Sequence, residues 1–424
     1  MRQEPFRHLK CDALNARAEN TSREWSGRQF HKWSTGSFAG SETFACGRAA
    51  VVTFPPWLWH GDLPPAGNPV SLHVGASPPV FTGYETYWLN SGTAALALAI
   101  LTARQRRPDV AAPRVILPAY GCPDLLAAAE YAGARATLVD IGANDPGYSL
   151  PALRAALTTD VVAVVAVNFL GVRERLREIR AMLSDGTLLI EDDAQWFPEP
   201  LEGRGLEGDL VCISFGRGKP VSLLGGGALL ARSSLTVPAT SILSSEDPGA
   251  LFPAKVRLFN ALLRRRLFPI ANRNPLVELG RTAFKPLAGI RALDPTRTRL
   301  IATNVDNYLK NDLATQSRWS AAVADATRVG SLEVDADRVG RLLRYPVLCR
   351  NADDRRTLLE SLRRAGLGAT AMYRSWLPDV EGVTGRFDLS GPCPGAQSFA
   401  SRLLTLPINQ QVTAQDIRLA LSEM

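Results

Sequence analysis

The sequence predicts an α/β fold, with a large domain on a mostly parallel sheet and a smaller C-terminal α+β domain. Two observations carry this. From residue 84 to 232, short apolar runs alternate with stretches of helical period, the pattern of strands joined by helical crossovers. Within that span VVAVVAVNFL (161–170) is continuously apolar, as suits a parallel strand covered on both faces.

The elements follow in order. ETYWLN (85–90) reads as a strand, and SGTAALALAILTARQRR (91–107) as a helix stopped by Pro108. RVILP (114–118) is a strand and DLLAAAEYAG (124–133) a helix. ATLVDI (136–141) and LPALRAAL (150–157) repeat the pair. Beyond the 161–170 strand come a helix across 173–183 and three strands, TLLIEDDAQ (187–195), DLVCISF (209–215) and GGALLAR (226–232). Residues 241–305 are basic and less regular, centred on KVRLFNALLRRRLFPI, and read as a helical connection. Residues 306–424 form the smaller domain. It holds long helices, RLLRYPVLC (341–349), the helix DDRRTLLESLRRAG (353–366) and a closing LLTLPINQQVTAQDIRLALSEM. Residues 1–66 show no sustained period and read as a poorly organised extension, leaving 67–240 for the large domain.

Composition narrows the chemistry. The chain has 424 residues, 46% hydrophobic and 21% charged, within the range of globular proteins. No apolar run approaches the ~20 residues of a membrane span. The first residues lack the apolar core of a secretory signal, so a cytoplasmic location is expected. The six cysteines are scattered without a CxxC pair, which argues against a zinc site or a disulfide framework. All four histidines (His8, His31, His60, His73) precede residue 74. The rest of the chain therefore cannot supply a Ser-His-Asp triad or a His-ligated metal. Lysine is scarce, and Lys219 is the only one between Lys32 and Lys255. The net charge of +7 is modest and no nucleic-acid motif is present, so an anionic small molecule is a sufficient partner.

Four motifs fall where strands end, the edge at which open α/β sheets gather their catalytic groups. Asn90-Ser91-Gly92-Thr93-Ala94 turns a strand into a helix, so it is either a simple N-cap or a phosphate-binding helix start. Ile190-Glu191-Asp192-Asp193-Ala194-Gln195 ends a buried strand in carboxylates. Asp192 there either caps the next turn or pairs with a cationic ring nitrogen. Ser214-Phe215-Gly216-Arg217-Gly218-Lys219 sets a lysine on a tight glycine loop, as a solvated surface group or as a Schiff-base amine. Gly225-Gly226-Gly227-Ala228 opens a strand, either as a flexible turn or as a place of close approach.

Taken in this order, with Pro118-Ala119-Tyr120 between the first two, these motifs resemble the DegT/StrS family of sugar aminotransferases. The resemblance spans about 84–232, and fainter echoes lie in GLGATAMYRSWLP and RLLTLPIN. It implies a pyridoxal 5'-phosphate (PLP) enzyme of fold type I, working as a homodimer with shared active sites. Apolar positions within 251–270 would then face the partner, with Arg264, Arg265 and Arg266 near the rim. The resemblance assigns Lys219 as the residue that holds the cofactor and shuttles the proton. It gives Asp192 to the pyridine nitrogen, Gln195 to the phenolic side of the ring, and Ser91, Gly92, Thr93 and Ser214 to the phosphate. The implied reaction moves an amino group, from glutamate, to a keto carbon of a nucleotide-linked sugar destined for a surface polysaccharide or a secondary metabolite. The rival readings are a non-sugar ketone as acceptor, or an idle binding protein on the same scaffold. Lys219 argues against the family's dehydratase offshoots, which carry histidine there. The sequence departs from the family at three places. Cys122 stands where an aromatic usually covers the ring, leaving Tyr120 to compensate. Gly216 replaces a frequent histidine, and the family's Gly-x-Asn-x-Arg segment is not recognisable in 240–300.

Overall fold

The computed structural model describes residues 61–198, 206–273 and 282–424. The central sheet has eight strands in the order β1-β7-β6-β5-β4-β2-β3-β10. In chain order, β1 (Tyr84–Leu89) leads into α1 (Gly92–Arg106), β2 (Arg114–Pro118) into α2 (Asp124–Tyr131), and β3 (Arg135–Val139) into α3 (Leu150–Ala156). Then come β4 (Val161–Val167), α4 (Leu176–Arg180), β5 (Leu188–Asp193), β6 (Leu210–Ser214) and β7 (Gly227–Arg232). The strands from β6 to β10 pair in parallel, whereas β7 runs antiparallel to both β6 and β1. The apolar run in β4 lies at the sheet's centre and is buried at every position but its last, Val167, as its sequence requires. Helix α1 crosses the sheet against β7, β6 and β4. Its alanines, Ala94, Ala95, Ala97 and Ala99, are wholly buried and let the helix lie close to the sheet.

After β7 the chain forms α5 (Phe252–Leu262), α6 (Phe268–Asn272), α7 (Pro295–Thr298), α8 (Ile301–Lys310) and α9 (Ala314–Val323). A second, three-stranded sheet contains β8 (Val329–Gly330), β9 (Tyr345–Cys349) and β11 (Leu403–Leu406), all antiparallel. The helices α10 (Ala352–Arg364), α11 (Pro394–Arg402) and α12 (Ala414–Leu421) belong to the same part of the chain. This sheet has its own apolar core, with Trp319, Tyr345, Leu358 and Leu404.

Several expectations are corrected. The helix expected across 173–183 is only Leu176–Arg180. The Arg173 N–H is spent on the Arg338 carbonyl, and the Glu174 carboxylate accepts the Tyr148 N–H. Both contacts hold the first residues out of helical geometry. Within RLLRYPVLC (341–349) the strand is β9 from Tyr345, because Leu342 and Leu343 bond to Gln316 and Leu170 instead. An unforeseen strand, β10 (Phe387–Leu389), leaves the C-terminal part and joins the central sheet beside β3. The extension was read as reaching residue 66, yet its end is built in. Leu63 is buried in the second core, and Asp62 pairs with Arg273 at 2.8 Å. The rest of the extension, 1–60, lies outside the described residues. In the connection Phe252, Val256 and Phe268 turn inward, and Arg265 grips Asp416 through two hydrogen bonds.

Candidate active site

The residues singled out in the sequence converge at the carboxyl ends of β5 and β6. Beyond β6 the loop is pinned at Phe215, whose N–H donates to Gly226 and whose carbonyl accepts from Leu223 and Gly225. Gly218 takes the left-handed conformation (φ +73°) that turns the chain back, leaving Lys219 half-buried on the pinned loop. The Lys219 amine is close enough to act on two neighbours. Burial raises the Asp192 carboxyl above its ordinary value, and the Ala194 N–H at 2.9 Å and Lys219 pull it partly back. Burial likewise pushes the Cys122 thiol up to about 12, with the Asp124 carboxylate adding to the rise and Lys219 opposing it. Asp192, Lys219, Cys122 and Asp124 thus share one electrostatic neighbourhood.

The motif at Asn90–Ala94 forms a capped helix start. Ser91 caps α1, its hydroxyl accepting the Ala94 N–H at 3.0 Å. That bond uses the Ser91 oxygen as acceptor only, whereas the Thr93 hydroxyl donates to Asp124 at 3.0 Å. What faces Ser214 is Gly92, where a Cβ would stand 2.7 Å from the Ser214 Cβ. From the other side a Cβ on Gly227 would lie 2.5 Å from the Ser91 carbonyl carbon and 2.6 Å from the Gly92 nitrogen. The glycine triplet is thus a site of close approach: β7 is packed against the turn that starts α1. The result is a helix N-terminus with a serine hydroxyl beside it and no Cβ in the way, which suits an anion.

Gln195 is fixed at both ends of its amide. Its Oε1 accepts the Leu170 N–H at 2.9 Å, and its Nε2 donates to the Tyr373 hydroxyl at 2.9 Å. Tyr373 comes from the C-terminal part and is buried, with its phenol held far above the ordinary value by that burial and the Cys122 beside it. Tyr120 does not lie open for stacking. Its ring is boxed edge-on by Phe169, Tyr373 and Phe399, and its hydroxyl donates to the Tyr373 carbonyl at 3.1 Å. Tyr120 therefore supports the wall on which Tyr373 stands, and Cys122 remains the partly exposed group of that segment. Among the described residues three non-glycines adopt positive φ: Leu170, Leu224 and Met372. They adjoin Gln195's acceptor bond, the glycine triplet and Tyr373 in turn, a clustering of backbone strain typical of functional sites.

Neighbours of Asp192 on β5 face the opposite side of the sheet, as strand alternation demands. Glu191 accepts N–H groups from Glu207 and Gly208, and Asn168 donates to both Glu191 and Asp193. One Asp193 oxygen, Oδ2, is buried without a hydrogen-bond partner. Burial, reinforced by Glu191, holds Asp193 well above the ordinary carboxyl range. Asn168, Leu170, Asp124 and Tyr373 were missed at the sequence level. Only Tyr373 had a local signal, its place in GLGATAMYRSWLP.

A cavity of about 520 Å³ has a lining that includes none of Lys219, Asp192, Gln195 and Ser214 but adjoins Lys219 in the chain. It begins at Pro220, the residue after Lys219, and reaches Leu343, which donates to the Leu170 carbonyl. Its lining is rich in amides, including Asn68, Asn307 and Gln410, and Ser222 presents a buried hydroxyl with no partner.

The chain matches the DegT/DnrJ/EryC1/StrS aminotransferase family over residues 86–247 and 303–423, about two thirds of its length. It belongs to that family. The unmatched 248–302 overlaps the stretch 240–300 in which the family's Gly-x-Asn-x-Arg segment is not recognisable. Protein MosB of Rhizobium meliloti is 34% identical over 146 residues, which are 34% of this chain and only 28% of MosB. Among solved structures, the sugar aminotransferase CalS13 from Micromonospora echinospora is similar at 20% identity and a TM-score of 0.57, covering 80% of this chain and 86% of CalS13. S. venezuelae DesV gives 0.58 at 18% identity, covering 80% and 83%. The E. coli GDP-4-keto-6-deoxy-D-mannose-3-dehydratase, solved with hydrated PLP, gives 0.60 at 15%, covering 81% and 88%. At these identities the likeness establishes a shared fold.

Proposed function

We propose that this family member is a PLP-dependent aminotransferase that transfers an amino group from an amino-acid donor, glutamate in the first instance, to the keto carbon of a nucleotide-linked sugar. The observation that carries the reading is the convergence of Lys219, Asp192 and Gln195 with a Cβ-free cradle at one sheet edge. The residues fit the cofactor. The Gly92 turn with Ser214 offers N–H and hydroxyl donors to a phosphate. Asp192 is a buried carboxylate with no ion pair among the described residues beyond the influence of Lys219, as the partner of a protonated pyridine nitrogen should be. Gln195, locked by Leu170 and Tyr373, would flank the ring.

Bound there, PLP supplies the electron-withdrawing ring that lets a proton leave the substrate carbon. Lys219 Nζ then takes that proton and returns it one position away, a role its half-buried place on a pinned loop suits. Asp192 keeps the ring nitrogen protonated. The amide-lined cavity that starts at Pro220, one residue after Lys219, has the hydrogen-bonding character a polyhydroxylated acceptor needs, which favours a sugar over a plain ketone. The dehydratase among the structural relatives does not redirect this reading, because Lys219 retains the transaminase amine. Leu251, Leu258 and Ile270, exposed on α5 and α6 and just before them, support a homodimer through this face. No helix among the described residues is long and apolar enough to cross a membrane. A cytoplasmic location accords with the proposed substrates.

Cys122, in place of a ring-covering aromatic, is the one observation favouring an idle binding protein. Incubating the purified protein with PLP and L-glutamate separates the two readings. Conversion of the cofactor to its pyridoxamine form supports the enzyme, and a cofactor that binds without converting refutes it.

A further inference from the structure

Several inward-facing arginines among the described residues have a carboxylate partner, while others, such as Arg355, bond to main-chain carbonyls. Arg338 holds Asp145, Arg265 holds Asp416, Arg273 holds Asp62 and Arg297 holds Asp294. Arg344 differs. It sits at the start of β9, and its one side-chain hydrogen bond runs from Nη1 to the Thr370 hydroxyl at 2.6 Å. Among the described residues its Nε is buried with no partner and it has no ion pair with a carboxylate. Thr370 cannot neutralise it, being bonded in turn to the Thr405 hydroxyl at 2.8 Å. A buried guanidinium without a counter-ion is costly, and the ordinary remedies are a carboxylate or a neutral replacement. Neither is present. Burial draws the Arg344 guanidinium down to about 10, with the Tyr373 phenol as its one opposing influence.

Position gives this unpaired cation its meaning. The preceding residue, Leu343, donates its N–H to the Leu170 carbonyl at 2.8 Å. Leu170 donates to Gln195, and Gln195 donates to Tyr373, whose segment leads back to Thr370. Arg344 is therefore held in a closed ring of contacts that includes the residue proposed to flank the cofactor. It is also one residue from the lining of the 520 Å³ cavity.

We propose that Arg344 is the anion-recognition point of this site and takes the carboxylate of the amino-acid donor. This inference rests on the aminotransferase reading for the identity of the donor, though not for the existence of an anion site. The guanidinium fork matches a carboxylate in two parallel hydrogen bonds, which a lysine cannot reproduce. The spare donors, Nε above all, are those such a ligand would satisfy.

The test is calorimetric titration of the PLP-loaded protein with glutarate, a dicarboxylate that cannot be transaminated, and in parallel with inorganic pyrophosphate. Arg344→Met is expected to weaken glutarate binding by roughly 10- to 100-fold, the worth of a charge-assisted hydrogen bond pair. Pyrophosphate binding should be unchanged. Arg344→Lys should fall between wild type and Arg344→Met. Because an unpaired buried charge is removed, Arg344→Met should melt no lower than wild type, whereas a purely structural arginine would lower the melting temperature. Unchanged glutarate binding overturns the proposal, and so does a loss confined to pyrophosphate, which would give Arg344 to the acceptor's phosphates. If Arg344→Met does not fold, equal glutarate affinity of Arg344→Lys and wild type overturns it equally. Failure of the aminotransferase reading would look different: glutarate binding would depend on Arg344 while L-glutamate left the cofactor unconverted.

Discussion

Replacing Gly227 by alanine tests whether the glycine triplet is a packing device that shapes the phosphate cradle. The new Cβ would lie 2.5 Å from the Ser91 carbonyl carbon and 2.6 Å from the Gly92 nitrogen and Ser91 oxygen. All three are main-chain atoms, so no side chain can swing aside. Gly227 does not have a positive φ, so alanine meets no conformational penalty of its own and the effect is purely steric. Overpacking of this kind costs about 1–3 kcal/mol, and immovable backbone places this case near the upper end. The strain has two outlets. If β7 yields, unfolding stability falls by about 2–3 kcal/mol. If the Ser91–Gly92 turn retreats from Ser214, the loss appears in cofactor affinity instead, and about 3 kcal/mol is roughly a 100-fold rise in Kd. Denaturant unfolding and a PLP titration followed by absorbance measure the two outlets on the same preparation. Gly216→Ala is the matched control, because its Cβ would meet only the Ser214 hydroxyl at 3.5 Å and Lys219 Cγ at 3.7 Å, ordinary contacts. A Gly227→Ala protein with both stability and PLP affinity equal to the Gly216→Ala control would refute the reasoning.

Three further outcomes are expected. Borohydride reduction of the PLP-loaded protein should place the pyridoxyl label on the peptide carrying Gly218-Lys219-Pro220, and Lys219→Ala should lose turnover by roughly 10³-fold; a label on Lys255 or Lys285 would sink the site assignment. Asp192→Asn should still take up PLP, with turnover reduced by roughly 100-fold or more and affinity changed much less, since the charge matters most where charge develops; kinetics beside a PLP titration decide it. Asp193→Asn should stabilise the protein at neutral pH by about 1–3 kcal/mol, the cost of a buried polar atom without a partner. The sign follows from its raised carboxyl: ionisation is penalised in the folded protein, fully so above the folded pKa, and the penalty vanishes below about 3.9, the unfolded value. Wild type should therefore gain stability relative to Asp193→Asn as pH falls toward 4, and parallel melting profiles would contradict the assignment.

The periodic features of the protein were legible without coordinates, because they are local. Burial on both faces forces an unbroken apolar run, so VVAVVAVNFL could be little else than a central parallel strand. Short side chains over a long helical span let SGTAALALAILTARQRR lie against the sheet. The order of strands and the turns that end them also put Lys219, Asp192, Gln195 and the Ser91–Gly92 turn at one edge, since parallel crossovers bring successive strand ends to the same side. Tertiary structure decided what depends on distant partners. That Ser91 caps α1 was decided by the Ala94 N–H, and that the glycine triplet is a place of close approach by β7 pressing Gly227 against the turn. Tyr120 proved to be wall rather than lid because Phe169, Tyr373 and Phe399, up to 279 positions away in the chain, close around it. Tyr373 and Arg344 carry no local pattern that marks them out. A tyrosine becomes an anchor for Gln195, and an arginine a cation without a counter-ion, only through what the folded chain brings beside them and what it leaves out.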